Sequence, residues 1–131
     1  MLKSKNATTK MMALVVDDSI VNQRIHHKLL ENFGIENQVV GNGKEAIDVH
    51  CSGKHFDLIL MDMDMPVMNG IEATRMLRAM GIRSTIAGVS SHSSLSEDTK
   101  EFIEAGLDDY QEKPLTPAKL VSIFHKVNLH V

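Results

Sequence analysis

The segment Leu58-Ile59-Leu60-Met61 carries four apolar side chains in a row with no polar interruption. A strand with one wet face alternates between polar and apolar residues. A strand covered on both faces does not, so this run belongs inside a sheet with layers above and below it. The run stops abruptly at Asp62. Asp64, Met65-Pro66 and Asn69-Gly70 follow, and together they have the character of a loop. In parallel sheets, chemistry collects where strand ends meet loops, which makes an acid at this point a candidate nucleophile or metal ligand.

The rest of the chain supplies the layers. Met12–Val16 is a second apolar run that stops at acids, Asp17 and Asp18, with Ser19 placed to cap a helix. Val21, Ile25, Leu29 and Phe33 then recur at i+4 as one stripe, and Gly34 stops the helix. Asn37–Val40 is a weak strand closed by Gly41-Asn42-Gly43, and Ala46, Ile47, His50 and Cys51 give a short helical face. After Gly70, the residues Ile71, Thr74, Leu77 and Arg78 repeat at helical spacing as far as Gly81. Thr85–Val89 is a fourth strand, which runs into Ser90-Ser91-His92-Ser93-Ser94. A helix from about Leu95 places Thr99, Phe102 and Ile103 on one side, and Asp109–Glu112 is a fifth strand leading to Lys113-Pro114. Leu120, Ile123, Phe124 and Val127 close the chain with an amphipathic helix. Five β-α units in succession predict an α/β fold with right-handed crossovers and helices on both faces of a parallel sheet. The flavodoxin-like strand order 2-1-3-4-5 is the natural five-stranded choice.

Composition narrows the function classes. With 131 residues, 43% hydrophobic and 24% charged, the chain has the size and balance of one ordinary soluble domain. Its net charge of −3 and scattered basic residues disfavour nucleic-acid binding, which needs a clustered basic surface. No run approaches the ~20 apolar residues of a membrane span. Residues 1–10 read as a flexible polar tail with no signal-peptide core, and the Asn6-Ala7-Thr8 sequon reads as chance. The single cysteine excludes an internal disulfide, and Cys51 is expected to be a small buried hydrophobe. The nine methionines read as core and loop filler. The seven histidines, lacking paired ligand spacing, read as solvated surface residues.

Distant residues converge at the carboxyl ends of parallel strands: Asp17, Asp18, Asp62, Ser90 and Lys113. Carboxylates brought that close cannot all stay ionised without a counter-charge, and Mg²⁺ is the expected fit. With a lysine and a hydroxyl beside them, the acids describe a site that neutralises a phosphoryl group in transfer, with Asp62 best placed as nucleophile.

These residues also carry a family resemblance. VVDD at 15–18, DLILMDMDMPVMNG at 57–70, the strand leading to Ser90 and DDYQEKPL at 108–115 resemble a response-regulator receiver domain over 11–131. The resemblance implies that Asp62 accepts a phosphoryl group from a phosphohistidine. It also implies that Asp17, Asp18, Asp62 and the backbone carbonyl of Asp64 hold Mg²⁺, and that Lys113 binds a phosphoryl oxygen. Lys113-Pro114 would be cis, and Ser90 and Tyr110 would form the switch that couples the chemistry to the surface. Ser91 stands where the family usually has alanine. Asp64 and His92 occupy variable positions expected to flank the path of the hydrolytic water and to tune phosphoryl lifetime.

The implied partner is a histidine-phosphotransfer protein or histidine kinase, docking over Asn22 and the 113–115 loop of a monomer in the cytoplasm or nucleus. The chain also looks similar to stand-alone plant regulators of the type-C kind, which implies a place in cytokinin signalling as relay or phosphate sink. Two alternatives stay open. One is a phosphomonoesterase, since Asp62-Met63-Asp64 is similar to the nucleophile loop of haloacid-dehalogenase-type phosphatases; that family, however, places its paired acids last. The other is a non-phosphorylated interaction module with the same fold.

Overall fold

The computed structural model describes residues 10–129, so the tail reading, but for Lys10, and the sequon at Asn6 lie outside the described residues. Five strands alternate with five helices: β1 (Met12–Val16), α1 (Ile20–Asn32), β2 (Glu36–Val40), α2 (Gly43–Cys51), β3 (Leu58–Met61), α3 (Gly70–Ala79), β4 (Thr85–Ser90), α4 (Glu97–Glu104), β5 (Asp109–Glu112) and α5 (Pro117–Lys126). All neighbouring strands are parallel, in the order β2-β1-β3-β4-β5. This is the flavodoxin-like arrangement expected from the pattern.

Strand alternation sorts the core into two layers. Ala13, Val15, Leu58, Leu60, Ala87 and Val89 face α1 and α5, where Leu29, Leu30, Leu120, Ile123 and Phe124 meet them. Leu14, Val16, Ile59, Met61 and Ile86 face the other helices and pack on Ala46, Ile47, Ala73, Leu77 and Phe102. Both faces of β3 are therefore covered, as its unbroken apolar run requires. Each helix opens on a side-chain cap, with Ser19, Asn42, Asn69, Ser96 and Thr116 accepting from a backbone N–H in the first turn.

The phase of α1 differs from the expected stripe. Its buried residues are His26, Leu29 and Leu30, whereas Val21 and Ile25 are exposed. Each i+4 step advances about 40° around a helix, so a line drawn back from Phe33 through Leu29 leaves the packed face by Ile25. The packed line is i, i+3, i+4 from His26. Two histidines are consequently core residues rather than solvated ones. His26 is on the buried face of α1, and His50 on α2 donates from Nδ1 to the Ala46 carbonyl (2.7 Å) and stacks edge-on against Phe56. Cys51 is exposed, because α2 turns its buried side to Ala46, Ile47 and His50 and ends one residue further on.

Arg78 locks the far edge of the fold. Its guanidinium donates to the carbonyls of Gly106 (3.0 Å), Ile82 (2.8 Å) and Ser84 (2.9 Å) and to Asp108 Oδ2 (2.9 Å), which also accepts from the Ile86 N–H (2.9 Å). One side chain thus joins α3 to the turns before β4 and β5. Arg78→Ala should destabilise the domain by about 2–4 kcal/mol in urea unfolding, since it strands several acceptors at once. Arg78→Lys should recover less than half of that loss, because a point ammonium cannot reproduce the fork.

Candidate functional site

Sheet register fixes the site. Val16 lies opposite Val40 on one side and Met61 on the other. The next residues on β1 and β3, Asp17 and Asp62, therefore leave the sheet side by side. Their backbones continue the ladder, with Asp62 N donating to Val16 O (2.9 Å) and Asp17 N to Val40 O (3.2 Å). Lys113 leaves β5 at the same level, its N–H held by the Ser90 carbonyl (2.8 Å).

The Lys113 ammonium bridges the two acids, at 2.9 Å from Asp17 Oδ2 and 3.1 Å from Asp62 Oδ1. Asp17 is fixed further: Oδ1 accepts from Ser19 N (2.9 Å), and Gln23 Nε2 donates to its carbonyl (2.7 Å). Asp17 and Asp62 are buried, while Asp18 is exposed at the mouth. Carboxylate oxygens of Asp17, Asp18 and Asp62 all lie within 4.8 Å of one another. The Lys113-Pro114 bond is cis. Lys119 reaches back from α5 to the carbonyls of Glu112 (2.7 Å) and Pro114 (3.2 Å), on either side of Lys113.

Burial, reinforced by the charge of Asp17 and only partly offset by Lys113, raises the Asp62 pKa from the ordinary 3.8 to about 6. Burial also works against the Lys113 ammonium, but its hydrogen bond to Asp17 and the charges of Asp62 and Asp17 outweigh it, so the pKa of Lys113 rises. His26 lies close enough to feel both groups. Burial lowers its pKa, with Asp17 opposing and Lys113 assisting. One ammonium among three carboxylates leaves negative charge in excess, which is the condition that a hard divalent cation relieves.

The remaining expected residues meet at His92. Ser90 is fully buried, and its Oγ accepts from His92 N (3.1 Å). Tyr110, half-buried and edge-on to Phe102, donates its hydroxyl to the His92 carbonyl (2.5 Å). The His92 side chain places Nε2 at 2.6 Å from Asp64 Oδ2. Asp64 and His92, expected to flank the path of the hydrolytic water, are therefore joined by a hydrogen bond that links the loops after β3 and β4. Ser91 is exposed.

Sequence reasoning did not assign site roles to Gln23, His26 and Lys119, and it read Gly70 only as a turn. Gly70 N donates to Met63 O (2.8 Å), and a Cβ at that position would overlap the Asp62 carbonyl oxygen. The β3–α3 loop thus closes tightly behind the central acid. A glycine at a helix start just after an acidic strand end was the available signal.

The family model for the response regulator receiver domain matches residues 13–125. Two-component response regulator 24 of Arabidopsis thaliana is 65% identical over 125 residues, an alignment covering 95% of this chain and 89% of that protein. Two-component response regulator ARR22 of the same plant is 44% identical over 108 residues, covering 82% of this chain and 76% of that protein. Among solved structures, the receiver domain of the sensor histidine kinase PA1611 from Pseudomonas aeruginosa PAO1 superposes with a TM-score of 0.81 at 30% identity. That match covers 92% of this chain and 99% of the other, whose active-site cleft holds a coordinated magnesium ion. Among the described residues, no helix is long and apolar enough to cross a membrane.

Proposed function

The chain belongs to the response regulator receiver family, and on that footing we propose that Asp62 accepts a phosphoryl group from a phosphohistidine on a partner protein. The receiver domain is read as spanning 11–131. The observation that carries this reading is the Lys113 ammonium bridging Asp17 and Asp62 beside Asp18. An Asp62 oxygen attacks phosphorus, the P–N bond to the imidazole breaks with its electron pair leaving on nitrogen, and an acyl phosphate remains on Asp62. Lys113, already at Asp62 Oδ1, pairs with a phosphoryl oxygen as the carboxylate charge is consumed. Ser90 retains its hydroxyl proton as a donor to a second oxygen, since its present bond uses Oγ as acceptor. A water later attacks phosphorus, releasing phosphate and restoring Asp62.

The residues present fit Mg²⁺: the carboxylates of Asp17, Asp18 and Asp62, with the Asp64 backbone carbonyl, would hold it, and it would neutralise charge on the phosphoryl oxygens. Donor docking is placed over α1, next to Asn22, and the 113–115 loop. The donor is a histidine-phosphotransfer protein or histidine kinase, and the receiver acts as relay or phosphate sink. Transfer of radiolabelled phosphoryl from a phosphohistidine donor should require Mg²⁺. Undiminished transfer in excess chelator would contradict this reading.

The Asp64–His92 hydrogen bond ties together the loops after β3 and β4, and its role is to limit the access of water to the acyl phosphate. Asp64→Asn and His92→Ala should each speed loss of label from Asp62 several-fold without changing the initial rate of transfer from the donor. Unchanged decay in both variants would contradict the assignment.

A further inference from the structure

Between Ser90 and α4 the chain runs Ser91-His92-Ser93-Ser94-Leu95-Ser96 and then meets the acids Glu97 and Asp98. Hydrogen bonding sorts the serines of this loop. Ser96 Oγ caps α4 and meets Thr99 Oγ1 (2.8 Å), and Ser93 Oγ accepts from Leu95 N (3.1 Å). Ser94 is held through its backbone instead. Its N–H donates to Glu112 Oε2 (3.0 Å), and its exposed hydroxyl has no partner among the described residues. Ser96 N donates to Ser93 O (3.1 Å), which closes a turn with Ser94 and Leu95 at its tip.

The charge around this tip is one-sided. Ser94 is the only serine or threonine in the chain with an acid three residues on, at Glu97, and Asp98 follows. The side chains of Glu97 and Asp98 are 88% and 66% exposed. No lysine or arginine occurs between Arg83 and Lys100. An open hydroxyl followed by acids suits an enzyme with a basic substrate groove, and a neutral or basic segment would leave that groove's cations unpaired.

We propose that Ser94 is a second phosphorylation site, modified by an acid-directed serine kinase, and that its phosphate releases the β4–α4 loop from β5. The site is separate from Asp62 and does not depend on the role of that residue. Ser94 Oγ attacks the γ-phosphorus of ATP, and the bond from that phosphorus to the bridging oxygen breaks. ADP leaves with the electron pair, and the hydroxyl proton passes to the base of the kinase. The product is a serine phosphomonoester carrying about −1.5 to −2 charges near neutral pH. That charge arises on the residue whose N–H is bonded to the Glu112 carboxylate. Lys100, the next cation along the chain, is bonded to Glu97 (3.1 Å). The phosphate therefore repels Glu112 and breaks the Ser94–Glu112 bond, which ties the loop carrying His92 to the end of β5.

The test is incubation of the full chain with a purified acid-directed serine kinase, Mg²⁺ and γ-labelled ATP, followed by acid treatment and peptide mass spectrometry. Acid strips an acyl phosphate and leaves a serine phosphate in place. A single phosphate is expected on Ser94. Ser94→Ala should lose it and keep a Tm within about two degrees of wild type, since no bond to the hydroxyl is removed. Glu97→Gln, which keeps the shape and removes the charge, should slow labelling about tenfold. On phosphorylation, hydrogen exchange at the Ser94 N–H should speed about tenfold or more. Glu112→Gln keeps an acceptor without the charge and should suppress that rise. No label, label on another serine, or wild-type labelling of Glu97→Gln would overturn the site. Unchanged exchange in the phosphorylated wild type would overturn the release of the loop.

Discussion

Lys113→Met is expected to lower the rate of phosphoryl transfer to Asp62 by about 10²–10³-fold, the usual loss when a fixed donor to a developing oxyanion is removed. Lys113 is the only ammonium bonded to both Asp17 and Asp62 among the described residues, so no neighbour substitutes for it. The same change should destabilise the metal-free domain by about 3 kcal/mol at neutral pH, because two buried carboxylates lose their shared partner. The raised pKa of Lys113 fixes the sign of this contribution. It is fully present below the unfolded-state value of 10.5 and is lost only as pH rises through the higher folded-state value. Mg²⁺ should restore much of the lost stability and bind at least as tightly as in wild type, since the acids remain and a competing cation has gone. Slow transfer with intact Mg²⁺ binding would separate the role of the lysine from that of the metal cluster. Transfer at wild-type rate would remove Lys113 from the mechanism.

Asp62→Asn should abolish acceptance and, at the same time, stabilise the metal-free fold. Asp62 has a folded-state pKa of about 6 against an ordinary 3.8. The folded protein therefore prefers this group protonated, and the associated stability is present below pH 3.8 and lost as pH rises through about 6. At pH 7.5 the whole difference is forfeited, about 3 kcal/mol by linkage. Asparagine never ionises and so escapes the loss. Urea unfolding should find Asp62→Asn more stable than wild type by about 2–3 kcal/mol at pH 7.5, with the gap closing between pH 6 and 4. Mg²⁺ should narrow the gap at neutral pH, because it favours the ionised Asp62 of wild type. A variant less stable than wild type at pH 7.5 would mean that Lys113 overcompensates the acids.

β1, β3 and β4 were legible because their ends are marked twice, by apolar runs and by the acids or hydroxyls at which they stop. β1 and β5 begin and end where the pattern places them, and the parallel order brings Asp17, Asp62 and Lys113 together without any further signal. What escaped was information that a linear pattern does not hold. The face of α1 was misjudged because an i+4 line drifts around the helix, which hid the burial of His26 behind an exposed Val21 and Ile25. Asp64 and His92 were singled out together, but the hydrogen bond between them, across 28 residues of sequence, appears only where the two loops converge. Lys119 carries no mark in the linear pattern, yet its ammonium braces the carbonyls flanking Lys113.

The central claim is a covalent one, that phosphorus becomes bonded to a single carboxylate oxygen at the end of β3. The most direct measurement is incubation with a histidine-phosphorylated phosphotransfer protein and Mg²⁺, followed by borohydride reduction, which converts an aspartyl phosphate to homoserine, and peptide mass spectrometry. Homoserine is expected at position 62 in the wild type and nowhere in Asp62→Asn, even where the donor loses its label. Reduction at Asp17, Asp18 or Asp64, or a donor that keeps its phosphoryl group in the presence of the wild type, would contradict the account.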